Sequence, residues 1–153
     1  MKRIYIAILL ILPLFLGSCL KHDLEDLEAY HGTEITSIRG LYYYFDKGVS
    51  ATGNKLFDWG NIARADVNID AQAGTIVVGK ATPAAANISQ FDQTKVIMML
   101  NISTAATIEP LDGSAPLGVE ADWTAGKANR YLVTAADGST KVWTITITQY
   151  VLN

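Results

Sequence analysis

Few residues in this chain are equipped for chemistry. The 153-residue sequence holds one cysteine, Cys19, and two histidines, His22 and His31. So small a set of thiols and imidazoles nearly excludes zinc sites, iron–sulfur clusters and internal disulfides, and no cofactor or metal is expected. Both histidines precede the first strand-like segment, a poor place for a general base that must be held in a rigid site. Asp66-x-Asn68-x-Asp70 opens like a calcium loop. Ala71 and Val77 then stand where such a loop needs its glycine and its bidentate glutamate, so the motif reads as the solvated face of a strand. Asp58, Asp92, Glu109, Glu120 and Asp122 are the carboxylates that could converge as an acid–base pair. A domain of this size seldom encloses a deep catalytic cleft, so no catalytic residue is assigned and no enzymatic activity is expected.

The tryptophans are the remaining candidates. Trp143 alternates with Ile145 and Ile147 and belongs to a core face. Trp59, close to Phe57 in a Gly/Asn/Asp-rich stretch, and Trp123, in a later loop-like stretch, are different. Indoles on loops can stack on sugar rings while neighbouring Asp, Asn and Gln bond the hydroxyls. Both therefore stand as candidate glycan-stacking residues, against the alternative that they plug the ends of the fold.

Cys19 has a clearer assignment. Lys2 and Arg3 precede an apolar run from Ile4 to Leu16, and Leu16-Gly17-Ser18-Cys19 follows. Thirteen helical residues reach only about 20 Å, short of the ~30 Å hydrocarbon core, which favours a signal-peptide h-region over a membrane span. An aliphatic residue, two small ones and a cysteine resemble the bacterial lipobox. The small residues let a signal peptidase close on extended backbone, and the thiolate is the nucleophile that takes the diacylglycerol. That motif implies a signal peptide over 1–18 and lipidation of Cys19, with enough acyl chains for stable anchoring. Asp23, Glu25, Asp26 and Glu28 then make 19–32 an acidic, solvated tether. Acidic residues there resemble the surface-export signals of Bacteroidota lipoproteins, although Leu20, Lys21 and His22 intervene; the cell surface and the periplasmic face of the outer membrane both stay open.

Losing 18 of the 153 residues leaves 135, enough for one sizeable core. Losing Lys2 and Arg3 takes the formal net charge from −3 to −5, a poor match for nucleic acid.

The elements that must position these residues are strands. From Thr33 onward the apolar residues are β-branched or aromatic, alternate, and are punctuated by turns. Ile35 and 38–45 predict one or two early strands, with Tyr42, Tyr43 and Tyr44 crowding both faces. The stretch 47–61 reads as the longest irregular segment. Val67 and Ile69 are expected to point inward on a strand that turns through 71–74 into a hairpin with 75–79. A single helical turn is expected at 88–91. The apolar run 96–102 predicts a central strand covered on both faces. Thr107 to Pro110 reads as a short strand stopped by proline. A loop follows over 111–126, and Asp137-Gly138 joins 130–135 to 141–149 as a hairpin. About seven short strands over 33–153 predict an all-β, immunoglobulin-like antiparallel β-sandwich.

Two stretches carry a family resemblance. Ile102 to Pro110, followed by Tyr131-Leu132-Val133-Thr134-Ala135-Ala136-Asp137-Gly138-Ser139-Thr140-Lys141-Val142-Trp143, resembles the immunoglobulin-like domains of unknown function in Bacteroidota cell-envelope lipoproteins. Asp66 to Val78 is similar to an upstream hairpin of the same group. Trp143 departs from the pattern, which usually has tyrosine. The resemblance implies no catalytic residues. It fits a non-catalytic outer-membrane lipoprotein whose domain is an interaction or spacer module of a surface assembly, with an envelope protein as partner. The alternative is a surface glycan-binding protein of a polysaccharide-utilisation system, and a pilus-type structural subunit ranks third.

Overall fold

The computed structural model describes residues 29–152. Seven strands carry the fold: β1 (Ile35–Val49), β2 (Lys55–Asp70), β3 (Thr75–Pro83), β4 (Val96–Ile102), β5 (Thr107–Leu111), β6 (Ala128–Thr134) and β7 (Thr140–Ile147). Two short 3-10 segments, Ala85–Gln90 and Gln93–Lys95, link β3 to β4. Cys19, His22 and the acidic cluster of the tether lie outside the described residues.

Hydrogen bonding orders the strands β4-β1-β2-β3-β7-β6-β5. β2 changes partner along its length: Asn61 and the residues before it pair with β1, while Ile62 and those after it pair with β3. A three-stranded part and a five-stranded part therefore share β2. Ile38, Leu41 and Tyr43 from β1 and Met98 from β4 join Ile76, Val78, Val133, Trp143 and Ile145 in one buried cluster. This all-β arrangement is consistent with a β-sandwich.

Period-two patterning explains the core strands. On β7, Trp143, Ile145 and Ile147 are buried while Val142, Thr144 and Thr146 are not. The buried indole is also satisfied, since Trp143 Nε1 donates to the Thr33 carbonyl at 2.8 Å. That bond ties the segment ahead of β1 to the last strand. Tyr30 and His31 run beside the β6–β7 turn, where their carbonyls accept from Asp137 N–H at 3.2 Å and from Ser139 Oγ at 3.3 Å.

Four expectations need correction. The sheet is not wholly antiparallel, because β3 and β7 pair in parallel from Thr75↔Thr144 to Val78↔Ile147. These strands are distant in sequence, so no hairpin dictates their direction. The run 96–102 is an edge strand, not a central one. Successive residues are buried only over Val96–Met98, and there a loop caps the free edge: Val96 exchanges both backbone bonds with Ala121, and Gly118 N–H donates to the Met98 carbonyl.

The stretch 47–61 is not irregular. It forms the tip of a β1–β2 hairpin, turning at 50–54, where Asn54 N–H donates to Ser50 Oγ at 3.1 Å and Gly53 N–H to the Ser50 carbonyl at 2.9 Å. Its polar and glycine content reflects two strands exposed to water beyond the end of β4, since β1 pairs with β4 only as far as Tyr43. Finally, Val67 is exposed. Asp66 beside it takes a φ of +55°, which breaks the alternation. Gly79 leaves the room, for a Cβ there would meet Asp66 Cβ at 2.7 Å.

Candidate functional site

The outer face of β4-β1-β2 carries an aromatic cluster. Leu41 and Tyr43 alternate inward on β1, which leaves Tyr42 and Tyr44 outward. Tyr44 stands opposite Trp59 in the β1–β2 register, and Tyr42 stands opposite Asn61. Trp59 lies between the two tyrosines: its ring centroid is 5.7 Å from Tyr42, at 60°, and 6.0 Å from Tyr44, at 35°. Cross-strand aromatic pairs of this kind contribute roughly 0.5–1.5 kcal/mol beyond area burial. Trp59 is nevertheless 55% exposed, and Tyr44 43%.

A β-bulge shapes the groove beside Trp59. The register of β1 on β4 slips between Ile38↔Leu100 and Gly40↔Met99, so Arg39 is an extra residue. Ile38 and Leu41 both face the core, and Arg39 and Gly40 fill the interval between them. Bulges re-aim side chains in this way. The Tyr42 ring lies over Gly40, where an added Cβ would come within 2.2 Å of Cε2. Arg39, Tyr42, Trp59, Asn61 and Met99 line the resulting groove of about 450 Å³. A smaller recess of about 290 Å³ is lined by Tyr44, Phe57 and Glu120.

The other sequence candidates are scattered. Trp123 is 1% exposed, so the stacking role expected for it is overturned: no ligand reaches this indole. Its ring lies 6.3 Å from Tyr131, stacked at 14°, and the Tyr150 hydroxyl donates to its carbonyl at 3.0 Å. The loop that carries it brings the indole into the buried cluster, and Asp122 fixes a tight turn beside it. Asp122 accepts from Thr124 N–H at 3.0 Å, from Thr124 Oγ1 at 2.6 Å and from Lys127 Nζ at 2.8 Å. Those partners, Lys127 first, hold its carboxyl down at about 2. Burial pushes the Tyr131 phenol well above its ordinary range, and its hydroxyl donates to the Ala115 carbonyl at 2.6 Å.

Asp58 pairs with Lys47 at 2.9 Å, which lowers its pKa. Asp92 is likewise lowered by the backbone and hydroxyl of Thr94. Both are therefore ionised and engaged locally. Glu109 lies on β5 at the far edge of the sheet, remote in strand order from Glu120 beside Tyr44. Asp66 pairs with Lys80 at 3.3 Å, and Asp70 caps its own turn through Gln72 and Ala73 N–H. Among the described residues no group of three or more His, Cys, Asp or Glu is placed to hold a metal ion.

Trp59 was anticipated, but on a loop; it sits on a strand. Its partners Arg39, Tyr42, Tyr44, Asn61 and Met99 were not singled out. The signal for the tyrosines was the parity of 41–45. The bulge at Arg39 has no sequence signature beyond Gly40.

Comparison with known proteins agrees on the fold. A solved structure from Bacteroides fragilis, described as a "putative secreted protein", matches with a TM-score of 0.67 at 36% identity, covering 80% of this chain and 99% of that one. No curated protein matches. Among the described residues no helix is long and apolar enough to cross a membrane. The DUF5018-related family matches residues 35–146, from the first residue of β1 to the penultimate residue of β7, and so takes in the whole aromatic groove. The chain belongs to the DUF5018-related family, a domain of unknown function.

Proposed function

We propose that this chain is a non-catalytic, lipid-anchored cell-envelope protein whose immunoglobulin-like sandwich holds a saccharide against the Trp59 groove. The observation that carries this reading is an indole left half in water on a rigid strand. Burying it would have stabilised the fold, as Trp123 and Trp143 do. A ligand with an apolar ring face supplies the missing cover, and Asn61 and the Tyr42 hydroxyl supply partners for hydroxyls at the rim. The lipobox-like Leu16-Gly17-Ser18-Cys19 supports outer-membrane anchoring, and the description of the Bacteroides relative supports export.

The anchor and the site also suit one another. β1 begins where the tether ends, and its fifteen residues span roughly 50 Å to the hairpin tip. A domain tethered from its N-terminal side thereby carries the tip away from the lipid, with the groove between tip and anchor.

A second reading has its own observation. Val49, Leu56 and Phe57 are exposed near the hairpin tip, beyond the edge of β4. An apolar tip of this kind suits an interaction module that docks another envelope protein.

A glycan array probed with wild type and Trp59→Ala separates the two. The saccharide reading expects selective binding that Trp59→Ala abolishes while the domain stays folded, its melting temperature lowered only by the loss of the aromatic pairing. A wild type that binds no sugar yet co-purifies with a stable envelope partner after mild detergent extraction decides for the interaction module.

A further inference from the structure

We propose that the Trp59 groove selects a saccharide carrying a carboxylate, with Arg39 as its counter-ion. The inference rests on the saccharide reading and adds a charge to it.

Among the described residues the groove has one formal charge, and it is positive. Its lining residues are Arg39, Tyr42, Trp59, Asn61 and Met99, with no carboxylate among them. The described lysines and arginines that form ion pairs are Lys47, Lys80, Lys127 and Arg130, each with an aspartate between 2.6 and 3.3 Å. Arg39 is not among them, nor are Lys55, Arg64, Lys95 and Lys141; of these five, Arg39 is the one that lines the Trp59 groove. No carboxylate of the described residues lies within ion-pair distance of Arg39, although acidic residues outnumber basic ones in the sequence, fifteen to twelve.

The backbone spends a bulge to put it there. Without the extra residue in β1, Gly40 would follow Ile38 in ordinary alternation and Arg39 would have no place of its own in the register. With it, Arg39 lines the same groove as Trp59 and as the Tyr42 ring that lies over Gly40.

These parts match one ligand chemistry. The C–H face of a pyranose covers the indole. A ring carboxylate takes the planar guanidinium fork, which matches it with two parallel bonds. Asn61 offers both a donor and an acceptor to ring hydroxyls, and the Tyr42 hydroxyl offers another. Uronic-acid residues within a polysaccharide and sialic-acid residues at glycan ends share this carboxylate-bearing pyranose.

The test uses the detergent-extracted full chain and ligands that differ only in charge. Immobilised polygalacturonate is compared with its methyl ester, and sialyllactose with the methyl ester of its sialic-acid carboxylate. Binding to at least one acid is expected to exceed that to its neutral partner by about tenfold or more, the usual margin for a charge-assisted bidentate bond. The responding pair tells uronate from sialate. Arg39→Gln is expected to abolish the preference at an unchanged melting temperature, and Arg39→Lys to restore only part of it, since an ammonium lacks the fork.

Equal binding of acid and neutral forms, still lost in Trp59→Ala, overturns the charge selection and leaves the saccharide reading standing. A preference that survives Arg39→Gln also overturns it. A wild type that binds none of the four probes and no sugar on the array overturns both.

Discussion

Tyr44 and Trp59 stand directly opposite each other across the β1–β2 hairpin, with ring centroids 6.0 Å apart and planes inclined at 35°. The pair does for the outer face what core packing does inside: each ring limits where the other can go. Tyr42 closes the other side of Trp59 at 5.7 Å. An exposed indole held on two sides is pre-organised, so little side-chain freedom is left for a ligand to freeze.

Trp59 and Trp123 should respond to truncation in opposite ways. Trp123→Ala empties a buried site and should cost about 3–5 kcal/mol, a large part of a domain's stability. Trp59→Ala should cost no more than about 1.5 kcal/mol, the worth of its aromatic pairing. Chemical denaturation of both variants measures the contrast, and equal losses would contradict the geometry.

Two glycines make a second contrast. A Cβ at Gly60 would meet the Tyr43 ring at 2.2 Å, and Tyr43 is buried with its hydroxyl donating to the Ala84 carbonyl at 3.1 Å. Gly60→Ala should therefore destabilise by about 1–3 kcal/mol, as overpacking does. A Cβ at Gly40 meets the Tyr42 ring instead, which is only partly buried and can swing outward. Gly40→Ala should leave the melting temperature close to wild type while weakening saccharide retention. Thermal melts and retention on the array-selected sugar check both.

Much of this was readable in the sequence. Alternation on 143–147 and Asp137-Gly138 specified β6 and β7, because there one face is buried and the turn chemistry is unambiguous. The apolar run 96–102 predicted burial on two faces, which holds only over Val96–Met98, and it gave no sign that a loop, rather than a neighbouring strand, covers the edge of β4. The hairpin tip was hidden because water covers it, so its residues follow no apolar pattern. At the groove, the tyrosine run 42–44 was visible, yet its assignment to faces depends on bulges that shift parity by one. Trp123 read as exposed because its neighbours are polar; Asp122 and Thr124 bond each other and leave the indole to the core.

Asp122 should give the fold a defined acid response. Its carboxyl is held at about 2, below the ordinary 3.8, chiefly by Lys127 and Thr124. A depressed carboxylate contributes stability above its unfolded pKa, and that contribution is lost as pH falls through the folded value. Its side chain is 44% exposed, so solvent screening limits the effect to about 1 kcal/mol. Asp122→Asn should be less stable than wild type near neutral pH, and the gap should close between about pH 4 and 2. Urea midpoints across that range measure it; a gap that is constant or widens in acid would refute the assignment.

Cys19 is the only thiol in the chain. Fatty-acid labelling should mark the wild type, and Cys19→Ser should leave the membrane fraction with its melting temperature unchanged. An unlabelled wild type, or a Cys19→Ser variant that stays membrane-bound, removes the lipid anchor from the account.

The most direct test of the saccharide site is optical. Of the three tryptophans, Trp123 and Trp143 are buried and only Trp59 meets water. Iodide should therefore quench the fluorescence of a single tryptophan, and Trp59→Phe should remove the quenchable fraction. Adding the saccharide that the array selects should shield that fraction in proportion to occupancy. Full quenching of Trp59 while the sugar is bound would place the ligand elsewhere and contradict the account.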